Sequence, residues 1–490
     1  MGFIGLRDYD PQHKAKPGYV RWLRNFRCES GVLSRRKGCR RFNSTSIGAD
    51  PVRGVYVFYR EALPPVVVVN QGGKLYRTDD ATKAFTQIYD PLNTDLDVSF
   101  ASYTGKLFAS DGENRVLRWD GLGNSAEVVG TTDTPRGKYL LAIDNRLFQA
   151  NLLENKNQVV WPNVGSSEEW EEDVNFANVD PFATYGPGDI TGLKGFLGYP
   201  VVYKKAGIAR LFATGTGYVV RTVTQGNGCV GPKTLVDTGD EHIYLGSQAV
   251  YRWKGGEPQD ITSLLIPNAF GQIAMKYASE FVGVYHDSKY YLFYRPKWGG
   301  YSNNRGCLIF DTTINEWIAN DILPFGVSCA VSRSNSSDNG DLLVGSQEDG
   351  TLWILESGDS DDGAAIVADA VMPHEDYGHP GVDKRFYRAY VHHERTGTNS
   401  LVLRHYCGSD ETGGSGSFPL DGGASTYGGS TWGSAVYVGG RDKKRRYDLV
   451  NGSQNRTWGT NMSLRFQQVT GGAPARLHGY EVMYDDRGVS

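Results

Sequence analysis

The chain has 490 residues and a formal net charge of −4, with 62 Gly, 29 Tyr, 20 Phe and 10 Trp. This length is too great for one compact core, and the Gly-rich, aromatic-rich composition is typical of a turn-rich all-β protein. Two-residue apolar alternation is common, as in Val52 to Tyr59, while long stretches with the period of a helix are missing, so an all-α protein is excluded.

Residues 1–50 form a basic leading segment. Residues 1–42 contain eleven Lys or Arg against three Asp or Glu, a balance of +8 that leaves −12 for the other 448 residues. Alternating stretches flank the turn-competent triplet Glu29-Ser30-Gly31, which predicts a hairpin. The basic side chains are candidates for docking on an acidic partner subunit, with contacts to nucleic-acid phosphates as the alternative. These candidates are Arg21, Arg24, Arg27, Arg35, Arg36, Lys37, Arg40 and Arg41.

A short pattern recurs between residues 51 and 357. It consists of an alternating apolar strand, a Gly, Asp or Asn turn, a second strand with Leu-Phe or Leu-Tyr, and a closing aromatic, as in Thr104 to Gly121 and Asp341 to Leu355. Units of this kind cannot bury an apolar face alone and stack around an axis. We therefore predict an irregular β-propeller of about seven blades, within a range of six to eight. The blades are predicted to begin near Val52, Asp97, Arg136, Asp189, Leu235, Phe281 and Val327.

Two segments of the repeat region invite a chemical interpretation. The acidic run Ser166 to Phe176 is predicted to be a solvated loop or a surface that repels DNA phosphates, with calcium binding as the alternative. Its candidate residues for a DNA-repelling or channel surface are Glu168, Glu169, Glu171, Glu172 and Asp173. The segment Ser346 to Trp353 is close to the Asp-box of sialidase-like propellers, and a purely structural role is predicted for Asp349, Gly350 and Trp353.

Residues 358–490 change character after the acidic, Gly- and Ser-rich stretch Glu356 to Ala365. Two longer strand pairs are predicted, the first from residues 384–394 with 399–410 and the second from 445–469 with 475–486. A polar, Gly- and Ser-rich excursion at 413–435 separates them. This arrangement predicts a β-sandwich-like domain after the propeller.

Catalytic and metal-binding signatures are missing from the sequence. No G-x-S-x-G elbow, H-E-x-x-H or P-loop occurs, and adjacent His392 and His393 would point to opposite faces of a strand. The six cysteines contain no C-x-x-C pair, and Cys28 with Cys39 is the one disulfide worth checking. The longest apolar run, Pro64 to Val69, is too short to span a bilayer, and the opening residues lack the apolar core of a signal peptide. We expect no enzyme activity, no cofactor, no metal and no membrane anchor.

The order of elements resembles the β-propeller tail hub or nozzle proteins of short-tailed double-stranded DNA bacteriophages. The first segment on which this resemblance rests is the pattern N-x-x-x-x-x-G-x-L-x-x-R-x-G, present as Asn25, Gly31, Leu33, Arg36 and Gly38. The other segments that carry the resemblance are Asp189 to Gly215, Val223 to Gly255 and Arg456 to Tyr484. The excursion at 413–435 is a departure from the family pattern.

The resemblance implies a structural virion protein that is assembled in the bacterial host cytoplasm. It would form a homo-oligomeric ring, a hexamer, below the portal-adaptor complex, where it retains packaged DNA and conducts it during ejection. The implied partners are portal-adaptor or head-completion proteins, tail fibre or spike proteins, and, transiently, double-stranded DNA in the channel. The basic leading segment would reach toward the adaptor ring.

Two other functions remain open from the residues. A carbohydrate-binding or glycoside-hydrolysing propeller would use exposed aromatics such as Trp119, Trp161, Trp253 and Trp353, although the position of these residues at strand ends also suits packing between blades. A scaffold propeller is the third possibility, but repeated Gly-His and Trp-Asp pairs at constant spacing are missing.

Overall fold

The computed structural model describes most of the chain. The described residues are 2–9, 18–61, 63–78, 82–130, 134–166, 170, 175–179, 188–215, 217–334, 340–394, 400–407, 415–419, 442–449, 457–469 and 471–486. Within these ranges, helix is limited to α1 (Pro267–Gly271) and to 3₁₀ turns at Pro232–Thr234 and Met275–Glu280. In the described part of the chain, no helix combines the length and the apolar character that crossing a membrane requires.

Before the repeats, the described residues form six short strands. They are β1 (Gly5–Leu6), β2 (Tyr19–Val20), β3 (Trp22–Arg24), β4 (Phe26–Glu29), β5 (Val32–Arg35) and β6 (Arg40–Arg41). The predicted hairpin is confirmed, because β4 pairs with β5 in antiparallel register. Its turn residues Ser30 and Gly31 have φ of 50° and 80°, the left-handed backbone that a tight hairpin turn of this length favours.

Seven four-stranded antiparallel units follow, each with its strands in spatial order. Blade 1 contains β7 (Val52–Arg60), β8 (Leu63–Gln71), β9 (Lys74–Thr78) and β10 (Phe85–Tyr89). Blade 2 contains β11 (Ser99–Tyr103), β12 (Lys106–Ser110), β13 (Leu117–Trp119) and β14 (Glu127–Val128). Blade 3 contains β15 (Gly137–Ile143), β16 (Arg146–Leu152), β17 (Gln158–Val160) and β18 (Phe176–Asn178). Blade 4 contains β19 (Ile190–Phe196), β20 (Tyr199–Lys204), β21 (Gly207–Ala213) and β22 (Tyr218–Gln225).

The last three blades complete the ring. Blade 5 contains β23 (Val236–Asp237), β24 (His242–Leu245), β25 (Val250–Trp253) and β26 (Gln259–Asp260). Blade 6 contains β27 (Val282–His286), β28 (Lys289–Tyr294), β29 (Gly306–Asp311) and β30 (Glu316–Ile322). Blade 7 contains β31 (Val327–Arg333), β32 (Asp341–Ser346) and β33 (Leu352–Leu355), with β6 as its fourth strand. The predicted all-β propeller is confirmed, and its blades begin within two residues of the predicted positions.

A strand from the N-terminal segment closes the ring. The innermost strands β7 and β31 pack against each other, so the first and last blades are neighbours. The outer strand of blade 7 is β6, whose Arg40 and Arg41 pair with Ile354 and Trp353 of β33. Chain segments from both ends of the propeller thus share one blade, and backbone hydrogen bonds hold the ring shut.

Neighbouring blades pack against each other through layers of buried apolar side chains. Between blades 1 and 2, for example, Phe58, Val68, Leu107 and Trp119 share one buried cluster. Glycines on the innermost strands let the sheets approach closely. A Cβ at Gly195 would lie 2.8 Å from Ile143 Cδ1 of the preceding blade, too close for a real contact.

The C-terminal residues form two further sheets. Their strands are β34 (Ala368–Val371), β35 (Lys384–Glu394), β36 (Ser400–Cys407), β37 (Ser415–Pro419), β38 (Asp442–Asp448), β39 (Thr457–Gly459), β40 (Met462–Gln468) and β41 (Arg476–Asp486). The first sheet has the order β3-β34-β40-β36-β37, and the second contains β4-β5-β41-β35-β38, with β39 paired to β35. Leu403 and Phe466 of the first sheet share a core with Phe386 and Leu477 of the second, which makes the pair sandwich-like.

The predicted pairing inside this sandwich is wrong. β35 pairs with β41 and β36 pairs with β40, so strands that follow each other in the chain lie in opposite sheets. Alternating sequences fit either partner, and the shared core decides between them. Of the excursion at 413–435, residues 415–419 form β37, and the remainder lies outside the described residues.

Propeller and sandwich are joined by one continuous sheet. Its strands run β27-β28-β29-β30-β4-β5-β41-β35-β38, from the innermost strand of blade 6 to the edge of the sandwich. The link is the hairpin β4-β5, because β4 pairs with β30 on one side and β5 pairs with β41 on the other. The N-terminal segment is therefore the connection between the two units.

Candidate functional site

The basic residues of the N-terminal segment fall into two groups. Arg27, Arg35 and Arg36 are buried, at 6%, 2% and 2% exposure. Lys37, Arg40 and Arg41 are exposed, and Arg21 and Arg24 are partly exposed. The prediction treated all eight as one docking surface, whereas burial removes the first three from contact with any partner.

Arg27 lies between two carboxylates that come from blades 6 and 7. Its Nε and Nη2 donate to Asp321 Oδ2 at 2.9 and 2.7 Å, and its Nη1 donates to Glu356 Oε2 at 2.8 Å. Burial alone would lower the pKa of Arg27, but the charges of Asp321 and Glu356 outweigh burial and raise it. Burial likewise raises the pKa of Glu356, and the charge of Arg27 more than offsets this, so the pKa ends below its usual range. The group is held ionised inside the protein.

Arg36 makes a bidentate pair with Asp361. Its Nη1 and Nη2 donate to Asp361 Oδ1 and Oδ2 at 2.8 and 2.6 Å, the fork geometry in which guanidinium and carboxylate bind best. Its Nε donates to Asn25 Oδ1 at 3.1 Å, and Nη2 also donates to the Ile322 carbonyl at 3.1 Å. Burial opposes the charge, yet the contacts with Asp361 raise the pKa of Arg36 overall.

The acidic loop Glu356 to Asp362 contacts five of the eight basic residues, namely Arg27, Arg35, Arg36, Arg40 and Arg41. Arg35 Nη2 donates to the Asp359 carbonyl at 2.8 Å, and Arg40 Nε donates to Ser357 Oγ at 2.9 Å. Arg41 Nε donates to Asp362 Oδ2 at 3.0 Å. From the sequence, this loop is expected to be a domain boundary. The signal that could have found the contact is the match between the run Arg35 to Arg41 and the acidic run Glu356 to Asp362.

The five residues of the N-terminal pattern all have structural roles. Asn25, at φ 57°, accepts the Ile322 amide at 2.8 Å through Oδ1 and donates through Nδ2 to the Val367 carbonyl at 2.8 Å. Gly31 supplies the hairpin turn, and Leu33 is fully buried in the sandwich core. Gly38 lies against Ser360, where a Cβ would come 1.9 Å from the carbonyl oxygen. The pattern therefore encodes the junction of hairpin, propeller and sandwich.

The acidic candidates Glu168, Glu169, Glu171, Glu172 and Asp173 lie outside the described residues. Two described residues that flank this segment, Asn163 and Asn175, contact each other. Asn175 Nδ2 donates to Asn163 Oδ1 at 3.0 Å, and the Trp161 amide donates to the Asn175 carbonyl at 3.1 Å.

The central axis of the propeller is bridged at one mouth. Lys233 Nζ, from the turn before blade 5, contacts Asp97 Oδ2 before blade 2 at 3.0 Å and donates to the Ser328 carbonyl of blade 7 at 3.1 Å. Contacts between three blades that are spread around the ring place this ion pair across the axis. The propeller axis is therefore crossed by a side chain at this mouth.

Three of the four tryptophans proposed as a sugar platform are buried, which corrects that expectation. Trp119, Trp161 and Trp253 are 2%, 1% and 0% exposed. Trp119 packs on Phe58, and Trp253 packs on Phe196, each in the preceding blade, at ring distances of 6.0 and 4.8 Å. Their role is packing between blades, and Trp353 is half-buried and stacked on Phe325.

The other residues that the sequence offered for chemistry, in the Asp-box-like turn, the His pair and the cysteines, make contacts within the fold. In the Asp-box-like turn, Asp349 Oδ1 accepts the Thr351 amide at 3.1 Å. His393 is fully buried while His392 contacts Glu481, so the two rings face opposite sides of β35. All six cysteines, including Cys28 and Cys39, are buried free thiols. Across the described ranges, no three His, Cys, Asp or Glu side chains are grouped in a way that could hold a metal ion.

A surface rich in cations and aromatic rings lies beside blade 6. We define this cationic surface by Arg24, Lys276, Arg295, Lys297 and Arg305 together with the rings of Tyr277, Trp298 and Tyr301. Arg295 lies 3.6 Å from the Tyr277 ring centre, and Arg24 lies 5.6 Å from that of Trp298. A hydrogen bond from Lys276 and its positive charge lower the pKa of Tyr277, which indicates a positive local potential. Two carboxylates border the surface, since Glu280 pairs with Arg295 and Glu348 pairs with Arg305.

Comparison with known proteins gives similarity in fold only. No protein-family model and no curated protein matches the chain. The β-propeller domain of Cps50 (Swd1) from Myceliophteria thermophila is 10% identical over 64% of this chain and 98% of that one, with a TM-score of 0.44. BamB from Moraxella catarrhalis is 13% identical over 68% and 95%, with a TM-score of 0.39. YCF48 bound to a D1 peptide is 10% identical over 65% and 95%, with a TM-score of 0.41. At these values they carry no inference about function, and the propeller assignment stands on the seven blades themselves.

Proposed function

We propose that the protein is a non-catalytic structural component of the tail of a short-tailed double-stranded DNA bacteriophage. In this role it forms a homo-oligomeric ring, a hexamer, as a hub or nozzle below the portal-adaptor complex, and retains packaged DNA and conducts it during ejection. Tail fibre or spike proteins would be further partners, and the protein would be found in the virion after assembly in the host cytoplasm.

The observation that carries the proposal is the junction built by the N-terminal pattern. Asn25, Arg36 and Gly38, which belong to the pattern shared with the tail proteins, bind the hairpin β4-β5 to blade 6 and to the loop at Ser360. One hydrogen-bonded sheet then runs from blade 6 into the sandwich. Such a continuous sheet suits a part that must transmit load between a pressurised head and the distal tail.

The bridged axis supports a channel between subunits. Because the contacts of Lys233 with Asp97 and Ser328 cross one mouth of the propeller, DNA in this proposal passes through the centre of the ring of copies. The negative balance outside the N-terminal segment would keep phosphates from adhering to the wall of such a conduit.

The docking proposal is narrowed to the accessible basic residues. Arg21, Arg24, Lys37, Arg40 and Arg41 stay candidates for contact with adaptor proteins. Charge reversal at Arg35 or Arg36 would break internal contacts and is not a test of docking. Lys37→Glu with Arg40→Glu is the suitable variant because both side chains are exposed.

The test is the mass of the purified protein by light scattering, alone and after mixing with the portal and adaptor proteins of the same phage. The expected result is a ring of six copies on the adaptor complex, with weaker binding for the Lys37→Glu/Arg40→Glu variant. A chain that remains a monomer and never associates with either partner would refute the proposal. Docking that is unchanged in the variant would remove only the role of Lys37 and Arg40.

A further inference from the structure

We propose that the outer strand of blade 4, β22, accepts an extended, acidic segment of another protein as an additional strand. This contact goes beyond the proposed function, because it does not require the ring of copies. Two independent features of blade 4 support it. The first is the edge of β22, and the second is a patch of arginines and aromatic rings beside that edge.

β22 is the longest outer strand of the propeller, and no described strand covers its outer edge. It contains eight residues, whereas the outer strands of blades 1, 2, 3, 5 and 7 contain five or fewer. The outer strand of blade 6, β30, contains seven, and there the hairpin strand β4 pairs with it. Among the described strands, only β21 pairs with β22. One long outer strand is thus extended by another part of the chain, and the other presents its edge.

The sequence of β22 suits the addition of a strand. Its residues, YVVRTVTQ, include no Pro and no Lys, with which natural edge strands often prevent pairing. Val or Thr fills five of its eight positions, and β-branched side chains favour strands. The register with β21 shifts once, at Val223, so residues 218–222 are regular. A regular edge of this length matches a typical strand.

Arginines and aromatic rings share one face of blade 4 beside this edge. The guanidinium of Arg210, in β21, lies 4.2 Å from the ring centre of Tyr199 and 5.0 Å from that of Phe212. The guanidinium of Arg221, in β22, lies 5.3 Å from the Phe212 ring centre. The register pairs Arg210 with Arg221 and Phe212 with Val219, which places all four on one face. We call these four residues and Tyr199 the arginine patch.

The arginine patch lies on the part of this face that blade 5 does not bury. Near the other end of the same strands, Tyr203 and Ile208 are buried in a cluster with Trp253 of blade 5. The four strands of blade 5 contain two, four, four and two residues, whereas β21 and β22 contain seven and eight. The longer strands extend past their neighbour, and Val219 and Arg221 are exposed there.

The charge of the patch is not balanced within the described structure. Neither of its arginines has a carboxylate partner among the described residues, and Arg210 Nε is buried without a hydrogen-bond partner there. The cationic surface beside blade 6 differs, because Glu280 and Glu348 pair with two of its arginines. In an added strand, the side chain opposite Arg221 would lie at about 5 Å, within reach of an ion pair. Charge complementarity therefore favours an acidic occupant.

A second copy and a nucleic acid both fit this surface less well. A second copy of β22 would bring two more arginines and no described carboxylate, so like charges would meet. Two cations are few for a nucleic acid, because its affinity grows with the number of phosphates that are neutralised. A nucleic acid would also leave the backbone groups of the edge without partners, whereas an added strand pairs with them.

The two faces of the edge define the sequence of the occupant. Val219 and Arg221 lie on the face of the patch, and Tyr218, Val220 and Thr222 lie on the opposite face. Because successive side chains of a strand also alternate in the occupant, acidic residues should occur at every second position. β-branched residues should lie between them, beside Val220 and Thr222.

The probe is a fluorescein-labelled peptide of about ten residues in which glutamate alternates with valine and threonine. One control peptide has lysine in place of every glutamate, and another has two prolines at its centre. Binding to the full chain is measured by fluorescence anisotropy, and hydrogen exchange is followed at residues 218–225. The protein variants are Arg221→Glu and a matched control, Lys205→Glu, which makes the same charge change at an exposed turn of blade 4.

The glutamate peptide should bind the wild type at least about tenfold more tightly than either control peptide and should slow exchange at residues 218–225. Arg221→Glu should weaken this binding at least about tenfold and should bind the lysine peptide in preference. Lys205→Glu should match the wild type. The reversed preference would also demonstrate that the Arg221→Glu variant is folded.

Several outcomes would overturn the inference. A glutamate peptide that does not bind, or that binds no better than the proline peptide, would show that no strand is added to β22. Self-association that Arg221→Glu abolishes, in place of peptide binding, would assign the edge to a second copy. Binding of a single-stranded oligothymidylate that Arg221→Glu abolishes, without a preference for the glutamate peptide, would assign the patch to nucleic acid.

Discussion

Replacing Gly38 by Ala should break the junction between the N-terminal segment and the acidic loop. A Cβ at this position would lie 1.9, 2.5 and 2.7 Å from the O, C and N atoms of Ser360, all of them backbone atoms. The Gly38 amide also donates to the Gly358 carbonyl at 2.8 Å, and its carbonyl accepts the Ser357 amide at 3.0 Å. No side-chain rotation can relieve this clash, so the loop itself must move.

The size of the movement sets the expected cost. Ordinary contact for a Cβ begins at 3.4 Å, so the loop at Ser360 must retreat by about 1.5 Å. Overpacking typically costs about 1–3 kcal/mol. Asp361 follows Ser360 directly, and disrupting its buried pair with Arg36 would add a part of the roughly 3–5 kcal/mol that such a break costs. We expect a total of about 3 kcal/mol or more.

The assay combines urea unfolding with hydrogen exchange of peptides that cover residues 36–42 and 352–362. Gly38→Ala should lower the unfolding midpoint and expose these peptides to exchange. Gly256→Ala is the matched control, because nothing lies within 4 Å of its Cβ position. If both variants unfold like the wild type and both peptides stay protected, the argument from close approach is wrong.

Three further outcomes follow from buried charges and from ring closure. Arg36→Met should cost about 3–5 kcal/mol in urea unfolding, and Arg36→Met/Asp361→Leu should recover most of that loss, since no charge is then left buried alone; equal losses would contradict this. Burial lowers the pKa of His405 from 6.5 to about 4, so between these pH values the imidazole is protonated in the unfolded chain and neutral in the folded chain. Stability should therefore fall by about 3 kcal/mol as the pH drops from about 6.5 to 4, and the fall should be smaller in His405→Phe; identical pH profiles would argue against it. Removing residues 2–43 deletes β6 and opens the edge of blade 7, so the truncated chain should aggregate in size-exclusion chromatography, whereas a monodisperse monomer would show that β6 is dispensable.

The sequence by itself determined the fold class and the positions at which the blades begin. Two-residue alternation with turns at regular intervals is a local property, so the seven blade starts from Val52 to Val327 were predictable within two residues. The hairpin at Ser30-Gly31 was predictable for the same reason, because its turn chemistry lies within four residues. The short motifs of catalytic and metal sites are also local in sequence, so the sequence alone could be searched for them.

Only the tertiary structure decided the long-range partners. Arg36 and Asp361 are 325 positions apart in the chain. A count of charges shows that the N-terminal segment is basic, but it does not show that acidic residues of the same chain pair with its arginines. For the same reason the basic segment suggested an external acidic partner, and the pairing of β35 with β41 was missed. Side-chain alternation specifies which face of a strand is buried, whereas the shared core of the folded protein selects the strand or the charge that meets it.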